Sequence, residues 1–299
     1  MAQINGTASG NRLTGTDADD VIRALAGDDL IIGSGGRDWI DGGAGSDTVD
    51  YSMYGHNISV SLKGDCETHA SFNGEVRDTL VNVENIIGGN GDDFFAGDDC
   101  DNTFRGNGGH DYFLASEGRD TYYGGDGYDA VDYTPIGNGI TIKPTSGGYS
   151  LQSVFGVVYD RLYSIEIIHG THKNDVIHGG DANNTLHGNG GNDRLVGGRG
   201  GDVLDGGKGN DKLTGGADAD IFVFSTGDGR DKITDFDTSG WDADRIDLSG
   251  VRSITGFRDL VHNHMWQRGS NVVIDGGDGE RIVLKGVDID DLEASHFIF

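Results

Sequence analysis

A nine-residue pattern recurs between Gly188 and Asp211 and constrains the fold more than any other feature of this sequence. Each unit opens with six glycine-rich residues that end in Asp, as in Gly188–Asp193, and closes with a polar-apolar-polar triplet. The glycine-rich part suits a tight turn with positive φ, and the triplet suits a short strand with one inward side chain. Two such units per coil predict a stacked parallel solenoid.

The pattern is present in three arrays with the same phase. Turn positions are numbered here from one to six, so that Gly188 is a first position and Asp193 a sixth position. Two residues beyond each sixth position stands an apolar or aromatic residue, from Leu13 to Phe222, which we expect to face inward. The acidic sixth positions are the predicted metal ligands: Asp20, Asp29, Asp38, Asp47, Asp93, Asp111, Asp120, Asp129, Asp175, Asp193, Asp202, Asp211 and Asp220.

A longer repeat of 82 residues lies above the short one, because Asp47, Asp129 and Asp211 are equally spaced. It divides the chain into a first array (1–50), a connector (51–87), a second array (88–132), a connector (133–169), a third array (170–222) and a C-terminal region (223–299). Alternating apolar residues in the connectors predict strands that prolong the same stack. The C-terminal region predicts ordinary strands, a short amphipathic helix near Phe257–His264 and a cap over the open end.

The composition requires a cation. The formal net charge is −28 and only 35% of residues are hydrophobic, so the chain should stay disordered unless its carboxylates are neutralised. The same charge argues against nucleic acid or an anionic membrane as a partner, and no run is long enough to span a bilayer. Cys66 and Cys100 are too few for a disulfide framework, and free thiols are favoured over one bridge.

The stacked turns point to calcium. Sixth positions 18 residues apart should lie on adjacent coils, about 4.8 Å apart, where two bare carboxylates repel by roughly 3 kcal/mol at an effective dielectric near 20. Aspartates and exposed glycine carbonyls are hard oxygen ligands that suit Ca²⁺ better than Mg²⁺ or Zn²⁺. Counting pairs predicts about ten ions, which would bring the net charge from −28 to about −8. Binding would then contribute folding free energy.

We expect the sites to differ in strength. Asn11, Asn102 and Asn184 replace Asp in the leading turns and remove a charge. The fourth position is glycine in the best units, and a side chain there should strain a left-handed backbone. Six units carry such a side chain: Ser9, Ala18, Cys100, Lys173, Ala182 and Asp218.

These units resemble the RTX nonapeptide, Gly-Gly-x-Gly-x-Asp-x-U-x, over most of residues 6–222. The stretch from Ala219 to Ser249 resembles the C-terminal domain of serralysin-type proteases. The resemblance implies an all-β, right-handed parallel β-roll with a small β-rich cap, and calcium held between successive turns. It also implies type I secretion by a machinery that reads an uncleaved C-terminal signal, within the stretch ending at Phe299, and folding outside the cell.

No catalytic motif accompanies the repeat. The sequence contains no His-Glu-x-x-His, Gly-x-Ser-x-Gly, P-loop or Cys-x-x-Cys, and His262 and His264 have the wrong spacing for zinc on one helical face. We therefore expect a protein that is not an enzyme. Two interpretations stay open: a secreted or cell-surface calcium-binding protein that contacts extracellular polysaccharide, or the secretion and folding module of a larger extracellular protease, lipase or uronan-modifying enzyme.

Overall fold

A computed structural model of the protein describes residues 1–145, 148–153, 160–277 and 279–299. Residues 146–147 and 154–159 of the second predicted connector lie outside the described part. The chain divides into two compact units, of which the first holds Met1–Ile136 and the second Glu166–Phe299, and the segment between contributes strands to both.

Short strands form nearly all of the regular structure. In chain order the first fifteen are β1 (Gln3–Thr7), β2 (Arg12–Thr14), β3 (Val21–Leu25), β4 (Leu30–Ile32), β5 (Trp39–Asp41), β6 (Thr48–Asp50), β7 (Ile58–Ser61), β8 (Thr68–Phe72), β9 (Glu75–Val81), β10 (Asn85–Ile87), β11 (Phe94–Ala96), β12 (Thr103–Gly108), β13 (Tyr112–Leu114), β14 (Thr121–Asp126) and β15 (Ala130–Asp132). The others are β16 (Ile140–Thr145), β17 (Gly148–Ser153), β18 (Arg161–Tyr163), β19 (Ile167–His169), β20 (Val176–Gly180), β21 (Thr185–His187), β22 (Arg194–Arg199), β23 (Val203–Asp205), β24 (Lys212–Ala217), β25 (Ile221–Ser225), β26 (Arg230–Ile233), β27 (Arg245–Gly250), β28 (Met265–Arg268), β29 (Asn271–Gly277), β30 (Glu280–Lys285) and β31 (Phe297–Ile298).

Consecutive strands of each array alternate between two sheets. In the first unit the strand orders are β1-β3-β5-β9-β8-β7-β11-β13-β15 and β2-β4-β6-β10-β12-β14-β18-β17. In the second unit they are β19-β21-β23-β25-β27-β31 and β16-β20-β22-β24-β26-β30-β29-β28. Array strands pair in parallel with a register of 18 residues, for example Leu195 with Leu213. The all-β parallel fold and the two-unit coil predicted from the nine-residue period are therefore confirmed.

The predicted inward residues form the core. Every one of them from Ile22 to Phe222 is fully buried, with 0% of its surface exposed. Leu13 is the exception and is half-buried, because its strand β2 has a neighbour on one side only. One apolar side chain per unit is thus enough to fill the space between the two sheets.

The first connector joins the sheet of the first array, as expected, but by antiparallel pairing. Strand β9 pairs in parallel with β5 and antiparallel with β8, and β8 pairs antiparallel with β7. Strand β7 then pairs in parallel with β11 of the second array. A hairpin segment therefore replaces one turn of the regular coil and returns the chain to the stack.

The C-terminal region adds parallel and antiparallel strands to the second unit. The predicted helix is present as α1 (Phe257–Asp259), which continues into a π-helical turn (Leu260–His264). Two 3-10 turns follow at Ile289–Asp291 and Ala294–His296. Within the described residues, no helix is long and apolar enough to cross a membrane.

Candidate metal centre

The sixth-position carboxylates form a series of hydrogen bonds, called the ladder here, that runs through each of the two compact units. Asp193 Oδ1 accepts from the backbone N–H of Asp175 at 2.8 Å, one coil earlier, and Asp211 Oδ1 accepts from Asp193 at 2.7 Å. All thirteen predicted ligands are at most 2% exposed. One carboxylate oxygen of each aspartate is therefore used to join coils.

The ladder continues through residues that have no 18-residue spacing. The N–H groups of Asp38, Asp47 and Asp120 donate to acidic side chains 37 to 40 residues ahead, and those of Asp211 and Asp220 donate to side chains 20 and 24 residues ahead. The spacing of the nonapeptide did not reveal these acceptors. They are Asp78, Glu84, Asp160, Asp231 and Asp244.

Fifth-position side chains bond the same coils in the opposite direction. Asn174 Oδ1 accepts from the backbone N–H of Asn192 at 2.7 Å, one coil later, and Asp92 Oδ1 accepts from His110 at 2.8 Å. These residues lie at the exposed edge of the turns. Adjacent coils are thus linked twice at those turns whose fifth residue has an accepting side chain.

The second carboxylate oxygen separates the turns into two classes. In the open class, Oδ2 is buried and has no hydrogen-bond partner. Such an oxygen is costly to bury and attracts a cation. This class includes Asp29, Asp47, Asp111, Asp193, Asp202, Asp211 and Asp220.

In the closed class the protein itself satisfies that oxygen. Ser34 Oγ donates to Asp38 Oδ2 at 2.8 Å, and Ser116 Oγ donates to Asp120 Oδ2 at 3.0 Å. The N–H of Gly89 donates to Asp93 Oδ2 at 2.9 Å. Asp20 and Asp175 are closed in the same way by Thr16 and Thr171. In several of the pairs counted from the 18-residue spacing, both carboxylate oxygens therefore already accept a hydrogen bond from the protein, which competes with a metal.

The backbone at the second turn position distinguishes the classes. Second-position residues of open turns have positive φ, for example 100° at Gly43, 77° at Asn107 and 124° at Gly198. This conformation turns the N–H of the second position away from the carboxylate. Ser and Thr at that position keep ordinary φ values and donate to it. Ser or Thr at the second position is therefore a sequence signal of a closed turn that the sixth-position pattern missed, whereas Gly occurs in both classes, since Gly89 closes the turn of Asp93.

First-position glycines shape a cradle beside the open oxygens. A Cβ atom added to Gly197 would lie 2.6 Å from the carbonyl oxygen of Gly215, one coil later, and would clash with Asp202 Oδ2. Gly106 and Gly188 have the same surroundings, with the next carbonyl 2.8 Å and 2.5 Å from the added atom. Carboxylate and carbonyl oxygens thus converge on a space that any side chain would fill.

The donor set fits calcium. Within the described ranges, no three His, Cys, Asp or Glu side chains are grouped to hold a metal ion. A cation at an open turn must therefore take most of its ligands from backbone carbonyls, and Ca²⁺ accepts six to eight oxygens of this mixed kind. Asp29 is less suited, because its turn begins with Ala24, whose methyl group stands where other open turns have glycine.

Burial makes the open carboxylates resist ionisation when no cation balances them. It raises the pKa of Asp111, Asp193 and Asp220 to about 8, with neighbouring carboxylates as a smaller cause. At one closed turn the pKa is shifted in the opposite direction, because hydrogen bonds from Ala2 and Thr16 lower the pKa of Asp20. Without a cation, the negative charge of these buried carboxylates is therefore not balanced.

Asparagine completes a turn without a cation. With its amide oriented to satisfy both polar atoms, Asn184 donates from Nδ2 to Gly179 O at 3.2 Å and to Ala182 O at 3.0 Å. Asn102 Nδ2 donates to Glu84 O at 3.0 Å. The amide nitrogen thus supplies a hydrogen-bond donor to nearby carbonyls, which an ionised aspartate cannot do, in keeping with the weaker sites predicted for the Asn turns.

The predicted strain at the fourth position is confined to one turn. Fourth-position glycines have φ from 90° to 155°, as expected. Of the six turns with a side chain there, only that of Asp218 is left-handed, with φ of 75°, so the prediction was wrong for the other five. In three of those turns, the second-position side chain accepts a hydrogen bond from the N–H of the fourth residue, which allows an ordinary φ. Thr16 accepts from Ala18, Asp98 from Cys100 and Thr171 from Lys173.

The histidines in the cap do not share a site. His262 Nδ1 lies 2.7 Å from Arg258 O, and His264 Nδ1 lies 2.8 Å from Asp275 O. In the third array, the rings of His169 and His187 stack 4.6 Å apart, as their 18-residue spacing predicts. Both cysteines are exposed free thiols.

Two sheets of short parallel strands, joined by glycine-rich acidic turns in which buried carboxylate and carbonyl oxygens converge, define a calcium-binding parallel β-roll. The profile of the RTX calcium-binding nonapeptide repeat matches residues 5–49, 83–113, 101–131, 164–195 and 196–233, more than half of the chain. The chain therefore belongs to the RTX calcium-binding repeat family.

Comparison with solved structures gives several matches of low overall similarity. Extracellular lipase LipA from Serratia marcescens is 17% identical with a TM-score of 0.37, and the alignment covers 99% of this chain and 40% of the lipase chain. The AlgE6R3 subunit of the Azotobacter vinelandii mannuronan C5-epimerase is 31% identical with a TM-score of 0.35, over 42% of this chain and 78% of that one. AlgE6R2 from the same epimerase is 31% identical with a TM-score of 0.30, over 41% and 91%. No curated protein sequence matches.

Proposed function

We propose that this chain is a secreted, non-catalytic calcium-binding roll that folds when Ca²⁺ binds its open turns outside the cell. The observation that carries the proposal is the set of buried, unpartnered Oδ2 atoms beside glycine carbonyls, as at Asp111, Asp193 and Asp202. Calcium supplies positive charge between these oxygens. Fewer ions than the ten expected from spacing alone should bind, because the closed turns offer no free oxygen.

The residues of the chain prepare each site before an ion arrives. Oδ1 of the sixth-position aspartate holds the N–H of the preceding coil, which fixes the carboxylate and leaves Oδ2 directed at the cradle. The first-position glycine keeps the cradle empty of side chain, and the second-position φ removes the competing donor. Without a cation, several buried carboxylates per unit lose their counter-charge, and the net charge of −28 opposes folding.

A calcium titration of the full chain tests this function. Circular dichroism after exhaustive chelation should report disordered chain, and added Ca²⁺ should restore β-structure cooperatively. Magnesium at equal concentration should act weakly, because it demands a tighter octahedral site. An ordered roll in chelator, with no change on adding calcium, would exclude the proposal.

Export by a type I machinery is part of the same proposal. It is supported by the family and by the C-terminal resemblance to serralysin-type proteases, whose signal would lie in the stretch ending at Phe299. Removing residues 289–299 should abolish export from a Gram-negative host that carries a type I apparatus. Calcium binding by the purified chain should change much less.

Polysaccharide binding is a second candidate function, favoured by one surface of the first unit. Arg105 Cζ lies 3.8 Å from the ring centroid of Tyr123, and Tyr123 stacks on Tyr163 with centroids 4.7 Å apart. A guanidinium beside two stacked tyrosine rings offers a positive charge and phenol hydroxyls to an acidic sugar chain. Affinity for an acidic polysaccharide, compared between the chain and its Arg105→Ala and Tyr123→Ala variants, tests this function.

A further inference from the structure

At the end of the first array the next coil is supplied by the connector. The turn Gly42–Asp47 has no nonapeptide turn 18 residues ahead of it. The segment after β9 takes that place: Gly42 donates its N–H to Val81 O at 3.0 Å, and Asp47 donates its N–H to Glu84 Oε2 at 2.8 Å. Glu84 therefore occupies the ladder position that an aspartate holds elsewhere.

The carbonyl of Asn82 stands where a glycine carbonyl stands in the repeat sites. A Cβ atom added to Gly42 would clash with Asn82 O and would lie 2.7 Å from Asp47 Oδ2. Asn82 has a left-handed φ of 51°, and its Nδ2 donates to Asp41 Oδ1 at 2.8 Å. This side-chain bond holds the carbonyl towards the cradle.

The side chain of Asp47 gives independent evidence for a cation site. Its side chain is fully buried, with 0% exposed, and its Oδ2 has no hydrogen-bond partner. The second position of its turn, Gly43, has φ of 100°, as in the other open turns. Carboxylate, carbonyl and cradle thus repeat the arrangement of Asp193 and Asp202, although the coil that supplies the carbonyl lacks the repeat sequence.

We propose that Asp47 Oδ2 and the carbonyl oxygen of Asn82 bind a further Ca²⁺, with Glu84 as a positioning residue. This ion joins the first array to the connector. The inference rests on the proposed function, since it assumes that open turns take calcium. It places a site between the last turn of the first array and a connector coil that is not a nonapeptide turn, where the family profile breaks between residues 49 and 83.

The same construction occurs a second time in the first unit. A Cβ atom on Gly124 would clash with both Ser164 O and Asp129 Oδ2, and Ser164 has a left-handed φ of 50°. These residues follow Gly42, Asp47 and Asn82 by 82 residues each. An arrangement built twice is a feature of the module.

The neighbouring junction shows that a connector does not always leave a site. There Asp38 Oδ2 accepts from Ser34 Oγ at 2.8 Å, and Asp78 Oδ2 accepts from Tyr51 Oη at 3.0 Å. Two hydroxyl groups satisfy the two carboxylates. Asp38 is therefore a matched control for Asp47, one turn away and equally buried.

Native mass spectrometry of the full chain, with calcium titrated, tests the proposal. Asp47→Asn keeps the Oδ1 acceptor for Asp29 and should bind one Ca²⁺ fewer than the parent chain, with an unchanged circular dichroism spectrum in calcium. Asp38→Asn should bind the parent number. Gly42→Ala, whose backbone φ suits any residue, fills the cradle and should also lose one ion.

The outcomes separate this inference from the function on which it rests. If Asp47→Asn and Gly42→Ala bind as many ions as the parent chain while Asp202→Asn binds fewer, the connector site is wrong and the proposed function stands. If the parent chain itself binds no calcium, the proposed function fails. If Asp38→Asn also loses an ion, the division into open and closed turns is wrong.

Discussion

The hydroxyl of Ser34 donates to Asp38 Oδ2 at 2.8 Å, in the place that an open turn leaves for a cation. Ser34→Gly should leave this buried oxygen without a partner and destabilise the folded chain at limiting calcium by about 1–3 kcal/mol. Differential scanning calorimetry at the lowest calcium concentration that folds the parent chain measures the effect. Ser116→Gly should behave alike, whereas Ser52→Gly, an exposed turn serine, should not change Tm. An unchanged Tm for Ser34→Gly would contradict the role given to the hydroxyl.

Asp202→Ala should raise the calcium concentration needed for folding more than Asn11→Ala does. Asp202 is fully buried and its Oδ1 accepts the N–H of Asn184 at 2.8 Å, so alanine removes a cation ligand and a link between coils. Asn11 lies in the less buried first coil. Calcium midpoints from circular dichroism make the comparison. Equal midpoints would contradict the stacking register.

Gly197→Ala should weaken calcium binding at one turn by tenfold or more, which corresponds to about 1.4 kcal/mol. The added methyl group would stand 2.6 Å from Gly215 O, inside the cradle. Isothermal titration calorimetry measures the loss. Gly55→Ala is the control, because nothing lies within 4 Å of its added Cβ and its φ suits any residue. A similar loss in both variants would point to a general effect of alanine.

The calcium-free chain should become more stable as the pH falls from 9 to 6. In the folded state burial raises the pKa of Asp193 and Asp231 from the ordinary 3.8 to about 8, so the folded state binds protons that the unfolded chain does not. This stabilisation is complete below pH 4 and is lost as the pH rises through 8. Because the chain is expected to be disordered in chelator at neutral pH, circular dichroism of calcium-stripped protein at several pH values measures the effect as β-structure regained at the acidic end. β-structure that increases with pH would contradict the burial of these carboxylates in the fold.

The roll could be predicted well from the sequence because the same residue types recur at a fixed spacing. Nine-residue spacing placed Ile22 and Phe222 in the core, and 18-residue spacing placed Asp193 beneath Asp211. It did not separate open from closed turns, because the second turn position was not considered and Ser34 or Thr171 closes a turn from inside. It missed Glu84, Asp231 and Asp244, whose distances along the chain follow from a hairpin or an inserted loop rather than from the period.

The backward reach of the carboxylates gives the roll a direction. Sixth-position backbone N–H groups are held by acids that come later in the chain, so the final coil of the third array depends on Asp231 and Asp244 for acceptors. The C-terminal segment therefore ends the series of hydrogen-bonded coils. A chain cut just after Asp220 would leave the backbone N–H groups of Asp211 and Asp220 without their carboxylate acceptors.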